Sequence, residues 1–199
     1  MELFISSFLK IFFIMTPFFV LSVFLTLTQE VTIKERKALA IKVTISVVIA
    51  SLILLFFGKH IFTVFGITLD SFRIGAGALL FVSAIELVKG NKDNAKVSDK
   101  DITQLAVVPL AIPITIGPGT IGILMVMGAT FENTSSMLVG SLSLISAVLL
   151  IGVMLYSSSF IETIIGKQGL LVISKITGLF LAALSAQIVF TGIKNFLEI

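Results

Sequence analysis

Long apolar stretches alternate with short polar ones along the chain, and this pattern predicts a protein that crosses a membrane six times. Each stretch is about 20 residues long or longer, which a helix needs to cross a hydrocarbon core of roughly 30 Å. The connections are too short to form a soluble domain. The predicted spans cover residues 3–28, 38–58, 68–89, 102–129, 137–160 and 170–196.

The composition agrees with a membrane location. The chain has 199 residues, of which 57% are hydrophobic and 13% are charged, whereas soluble domains are about 45–50% apolar and about 25% charged. It contains no cysteine, which excludes disulfides and cysteine metal sites. The net charge is +3, and in a membrane protein we assign the basic residues to cytoplasmic loops rather than to nucleic-acid binding.

Basic residues predict the orientation, because loops on the cytoplasmic side carry an excess of lysine and arginine. Ten of the 14 basic residues lie on the side of loops 29–37, 90–101 and 161–169. We therefore expect these three loops in the cytoplasm and both termini outside it. The expected location is the inner (plasma) membrane of the cell.

Features about 100 residues apart indicate an internal repeat. Pro17 and Pro118 are 101 residues apart, and Gly66 and Gly166 are 100 residues apart. A unit of three spans is odd, so a second copy enters the membrane upside down, as in many transporters. We predict an all-α membrane protein with a single domain, 1–199, in which repeats 1–90 and 102–199 are inverted and joined by the charged loop 90–101. The alternative is six unrelated helices.

Two of the predicted spans contain proline, and both are expected to be broken. Three prolines and two glycines lie within residues 109–120 of the fourth span. Proline lacks an N–H and disfavours helical geometry at the preceding residue. The sequence therefore predicts that one half-helix ends near Ile112–Ile116 and another starts at Pro118–Thr120. Thr16-Pro17 predicts a break in the first span.

The new helix end in the fourth span suits a ligand with two opposite charges. Free N–H groups at a helix N-terminus, with roughly half a positive charge, can hold a carboxylate. Carbonyls released near the prolines would accept an ammonium group. The alternative is a packed kink, with glycine serving close helix contact. The candidate substrate-binding residues are Thr16, Pro17, Pro113, Thr115, Gly117, Pro118, Gly119, Thr120 and Gln187.

Gln187 is in the middle of the sixth predicted span, where we expect a buried amide bonded to another helix or to the substrate. Other chemistry has little support. His60 is the only histidine and has no neighbouring ligands in the sequence, so no metal site is predicted. Motifs of nucleophilic or metal catalysis are missing. We expect no enzyme activity and no cofactor.

Three runs of sequence resemble the MarC family of six-helix inner-membrane proteins across nearly the whole chain. They are FGITLDSFRIGAGALL at 65–80, AVVPLAIPITIGPGTIGILM at 106–125, and IGKQGLLVISKITGLFLAALSAQIVFTGI at 165–193. The resemblance implies kinship with a wider superfamily of small exporters that includes lysine and threonine exporters. It also implies transport of small neutral amino acids such as alanine and glycine, driven by a proton gradient.

The first span departs from the family's usual pattern of aspartate-proline, glycine-asparagine and a second proline. The corresponding residues are Thr16, Pro17, Phe19, Val20 and Ser22. Half of the usual site would then be apolar. The leading hypothesis is a transporter or exporter that works by alternating access, with its site at the two broken helices. The second is a non-transporting membrane scaffold or partner-binding subunit, whose site is filled by these apolar side chains.

Overall fold

The computed structural model of the protein describes residues 2–28, 31–89 and 107–198, and it is helical with no β-strand in these ranges. The predicted loop 90–101 lies outside the described residues. A π-helix at Val107–Thr115 precedes the fifth α-helix. The α-helices are α1 (Glu2–Ile14), α2 (Pro17–Leu27), α3 (Ile33–Phe65), α4 (Leu69–Lys89), α5 (Pro118–Thr130), α6 (Thr134–Tyr156) and α7 (Ser158–Phe196).

Four of these helices, α3, α4, α6 and α7, are long and apolar enough to cross a membrane. The pair α1 and α2 is a fifth candidate span, bent by 40° at its break. The prediction of a multi-pass membrane protein is therefore confirmed. The π-helix and α5 occupy the fourth predicted span, whose first residues, 102–106, lie outside the described ranges.

Two predicted loops are largely helical. Residues 59–67 lie between the second and third predicted spans, but α3 continues to Phe65. The predicted loop 161–169 belongs to α7, which is interrupted at Gly166 with φ 70° and ψ 165°. Gly66 also has a positive φ of 65°. Helices extend past the hydrocarbon core because interfacial water accepts their polar residues, so hydropathy alone places such boundaries too early.

The largest buried apolar cluster connects the π-helix with all the α-helices except α4. Met15 and Ile116 belong to it, so it encloses both places where helices were predicted to break. The exposed apolar side chains lie on the outside of the helices, as a lipid environment requires. The largest of its fully buried members are Ile11, Met15, Leu21, Phe24, Leu55, Leu110, Ile116, Leu124, Leu144, Leu155 and Leu170.

Candidate functional site

The first break lies between α1 and α2, where it was predicted. Pro17 is the first residue of α2, a position where its missing N–H costs nothing. The N–H of Thr16, which a continuous helix would give to Phe12, donates instead to the Phe13 carbonyl at 3.0 Å. Thr16 has a left-handed conformation, with φ 48° and ψ 58°. This conformation is rare for a β-branched residue, so the break holds backbone strain.

The second break lies between the π-helix and α5, again as predicted. Gly117 is extended and Pro118 begins α5. The first N–H that bonds within α5 is that of Ile121, which donates to the Gly117 carbonyl at 2.9 Å. The N–H groups of Gly119 and Thr120 come before it, so they have no intrahelical acceptor.

Proline explains why the segment before this break is wound as a π-helix. Pro113 has no N–H to donate, and proline is in general incompatible with regular α-helical bonding to the residue four positions earlier. Hydrogen bonds that reach five residues back widen the helix. The Ile116 N–H donates to the Ala111 carbonyl at 2.9 Å, and the Thr115 hydroxyl donates to the Leu110 carbonyl at 2.7 Å. The Thr115 hydroxyl proton is therefore used within the helix and is not available to donate to a substrate.

The two breaks meet inside the molecule. Thr120, the third residue of α5, donates from its hydroxyl to the carbonyl of Ile14, the last residue of α1, at 3.4 Å. Each of these helices has 13 residues, so the meeting point lies about 20 Å from their other ends. A helix of that length that begins at the surface of a hydrocarbon core roughly 30 Å thick ends well inside it.

The meeting point joins two helix ends of opposite polarity. The start of α5 carries the positive end of its dipole, and the end of α1 carries the negative end of its own. The start of α5 offers N–H groups that lack an acceptor within the helix, and the end of α1 offers carbonyls, two of which already accept from Thr16 and Thr120. A small molecule placed between them would meet donors on one side and acceptors on the other.

The described side chains close this site to bulk solvent. Met15 and Ile116 are fully buried, and the exposed fractions of Thr16 and Thr120 are 8% and 4%.

Comparison with known proteins places the chain in a family. Residues 1–197 match the family described as "MarC family integral membrane protein". The chain belongs to the MarC family. A relative named "UPF0056 membrane protein" from Aquifex aeolicus is 34% identical, over 98% of this chain and 94% of the relative. A UPF0056 membrane protein from Methanocaldococcus jannaschii is 32% identical, over 97% of this chain and 87% of the relative. Another, from Buchnera aphidicola, is 30% identical, over 97% of this chain and 93% of the relative. No solved structure matches the chain.

Two glycines of this MarC protein pack α5 against α4. A Cβ on Gly119 would lie 2.8 Å from the Cα of Leu80, and a Cβ on Gly122 would lie 2.3 Å from the Cβ of Ala76. The close approach of a ligand expected at Gly119 is therefore blocked on this face by Leu80. For Gly119 the structure supports the alternative, close helix contact.

Gln187 does not join this site, and the expectation of a buried amide is wrong. Its side chain is exposed on α7. Ser185 is fully buried, and its carbonyl lies against Gly77 of α4. Two residues further along a helix correspond to a rotation of about 200°, so Gln187 lies on the opposite face. The apolar residues on both sides of Gln187 indicate a membrane span, but they do not show which face of that helix packs against other helices.

Polar side chains join helices at one end of α7. Arg36 of α3 donates through Nη1 to the Ser159 hydroxyl at 3.0 Å and through Nη2 to the Thr28 carbonyl at 2.5 Å. We call Arg36, Thr28 and Ser159 the Arg36 cluster. It connects the end of α2, the start of α3 and the start of α7, and sequence reasoning missed it because the partners are far apart in the chain.

A second polar cluster lies at the other end of α7. Arg73 and Asp70 of α4 form an ion pair at 2.7 Å. The amide Nδ2 of Asn195 donates to the same carboxylate oxygen of Asp70 at 3.3 Å. We call these three residues the Asp70 cluster. Asp70 and Arg73 are three residues apart, a spacing that places opposite charges next to each other on a helix, so this ion pair could have been predicted from the sequence. Within the described ranges, no group of three or more His, Asp or Glu residues could hold a metal ion.

Proposed function

We propose that this MarC-family protein transports small neutral amino acids, or similar small solutes, across the inner membrane by alternating access. The observation that carries the proposal is the hydrogen bond from Thr120 to the Ile14 carbonyl, which brings two broken spans together. In secondary transporters, substrate sites near the bilayer midplane are typically formed by discontinuous helices. The family and its membrane character support the proposal without naming a substrate.

The polarity of the two helix ends favours a zwitterion. The N–H groups of Gly119 and Thr120 would bind the carboxylate, and the carbonyl end of α1 would bind the ammonium group. In an α-amino acid both groups are attached to one carbon, so binding them requires that the two helix ends lie near each other, as the contact between Thr120 and Ile14 brings them. Backbone groups supply the binding in this arrangement. A threonine at position 16 is therefore compatible with binding even though the family usually has an acidic residue there.

Reciprocal contacts between α4 and α7 support an inverted repeat. Shifting residue numbers by 101 exchanges one contact set for the other. The two sets are Gly77 with Ser185 and Val189, and Gly178 with Ala84 and Val88. The broken spans and the positive-φ glycines are also about 100 residues apart. We propose that residues 1–90 and 102–199 are three-span repeats related by a pseudo-two-fold axis that passes between α4 and α7.

The two polar clusters are suited to be gates. Each includes residues of both proposed repeats, and they lie at opposite ends of α7. Rocking one repeat against the other would separate the partners of one cluster while those of the other stay together. By the distribution of basic loops, we assign the Arg36 cluster to the cytoplasmic side and the Asp70 cluster to the outer side.

A second candidate function is a non-transporting scaffold or partner-binding subunit. The tight packing around the breaks favours it, because Leu80 covers Gly119 and the side chains of Met15 and Ile116 are fully buried. A permanent scaffold would keep this packing, whereas a transporter would open it during each cycle.

Counterflow of labelled alanine in proteoliposomes tests the proposal. We expect faster uptake than in protein-free liposomes, and we expect glycine to compete. Alanine methyl ester lacks the carboxylate and lactate lacks the ammonium group, so both should compete much less. Equal uptake with and without protein would contradict alanine transport and favour the scaffold. Competition by the ester as strong as that by glycine would contradict carboxylate binding at α5.

A further inference from the structure

The outer face of α7 carries an amide at the depth of the lipid tails. Gln187 is exposed on the side opposite to α4. It lies eight residues before Asn195, or about 12 Å along the helix axis. Asn195 belongs to the Asp70 cluster, whose ion pair marks the level of the polar interface. Gln187 therefore lies well inside the hydrocarbon layer.

An exposed amide at this depth needs a partner, because lipid tails neither donate nor accept hydrogen bonds. The hydrogen bonds found among the described residues include none from the Gln187 side chain. The hydroxyl of Thr191 donates to the backbone carbonyl of Gln187 at 2.7 Å. This nearby donor is therefore already used and does not bond the Gln187 amide. None of the residues that the structure describes supplies a partner, whereas a second molecule at the same depth can.

The surroundings of Gln187 admit another helix. Ala183 and Thr191, one turn before and one turn after it, are exposed and small. Small residues on either side of a polar one allow two helix backbones to approach closely in a membrane. Phe190 is 71% exposed on the same side and adds apolar surface next to the small residues.

We propose that this face of α7 binds α7 of a second copy of the chain around a two-fold axis, with the two Gln187 amides hydrogen-bonded to each other. A primary amide carries both a donor and an acceptor, so it is complementary to itself. A two-fold interface requires such self-complementarity, because the same patch meets itself. A second copy also brings its amide to the same depth. This inference is independent of the transport proposal.

Cysteine crosslinking tests the interface cleanly, because the natural chain has no cysteine. The test variant is Gln187→Cys, oxidised in liposomes. The control is Leu142→Cys, because Leu142 is 57% exposed on α6 and is eight residues from the end of α6 that adjoins α5. We expect about ten-fold more crosslinked dimer from Gln187→Cys than from the control. Equal crosslinking would overturn the proposal.

A second variant measures the amide itself. Gln187→Leu keeps the exposed surface and the fold but removes the hydrogen bonds. We expect its dimerisation constant in bilayers, measured by single-molecule photobleaching, to fall about ten-fold, with Gln187→Asn retaining part of it. An unchanged constant in Gln187→Leu would refute the pairing of amides. If the purified protein is instead a monomer that binds a different protein through this face, the proposal that a second copy binds there is wrong.

Discussion

Gly77 of α4 lies against Val189 of α7 so closely that a methyl group on Gly77 would be 2.7 Å from the Val189 Cγ2 atom. The backbone carbonyl of Ser185 would be 3.1 Å from the same methyl group. A carbonyl on a packed helix cannot swing away as a side chain can. Glycine at this position is therefore a requirement of the contact between α4 and α7, which holds the two proposed repeats together.

Gly77→Ala should destabilise the protein by about 1–3 kcal/mol, because the added methyl overpacks the contact between α4 and α7. Gly75→Ala is the matched control: it lies two residues away on the opposite face of the same helix, and nothing is within 4 Å of its Cβ position. There the gain in helix propensity should stabilise by up to about 1 kcal/mol. Thermal unfolding in one detergent compares them. Equal shifts in the two variants would contradict the packing argument.

Thr120→Val should disconnect the two helix breaks, because valine has the shape of threonine but no hydroxyl to offer the Ile14 carbonyl. The hydrogen bond is long, so we expect a loss of stability of no more than about 1 kcal/mol but a large loss of alanine counterflow. Thr177→Val is the control: this threonine is also buried, and it bonds only within its own helix, to the Ile173 carbonyl at 2.9 Å. If both variants transport equally well, the contact between the breaks has no role in transport.

Thr16→Asn should stabilise the resting protein by about 1 kcal/mol, because asparagine tolerates the left-handed conformation that threonine adopts there with strain. Thr16→Val, which stays β-branched, is the control and should bring no gain. The melting temperatures of the purified variants test this. If Thr16→Asn and Thr16→Val melt at the same temperature, the backbone of Thr16 carries no strain.

The positions of the helix breaks could be predicted from sequence because their cause is local. Proline removes a donor and restricts the preceding residue wherever it occurs, so Pro17 and Pro118 identify both breaks without knowledge of the fold. The π-helix winding before Gly117 was not predicted. It depends on how the Thr115 hydroxyl and the Ile116 N–H find carbonyls five residues back, and composition does not show this.

The buried faces of the helices could not be predicted, because a membrane helix is apolar on both its lipid side and its protein side. Gln187 illustrates this, since its apolar flanks suit a buried position as well as an exposed one. The contact between Thr120 and Ile14 depends on a separation of 106 residues, which no local pattern encodes. The same holds for Leu80, which occupies the face of Gly119 that was expected to be open.

Gly166→Ala should destabilise the protein although nothing lies within 4 Å of the added methyl group. Gly166 has φ 70° and ψ 165°, a region that only glycine occupies readily, so alanine would cost of order 1–3 kcal/mol in backbone strain alone. Gly66→Ala tests the corresponding position, where φ is 65° and the space is also open.

The control for both variants is again Gly75→Ala, which has open space but sits inside a regular helix. Thermal unfolding should therefore separate backbone strain from crowding, with Gly166→Ala and Gly66→Ala melting below the natural protein and Gly75→Ala at or above it. A Gly166→Ala protein as stable as Gly75→Ala would show that α7 runs through residue 166 without its break. The proposed correspondence between the two positive-φ glycines would then no longer support the inverted repeat.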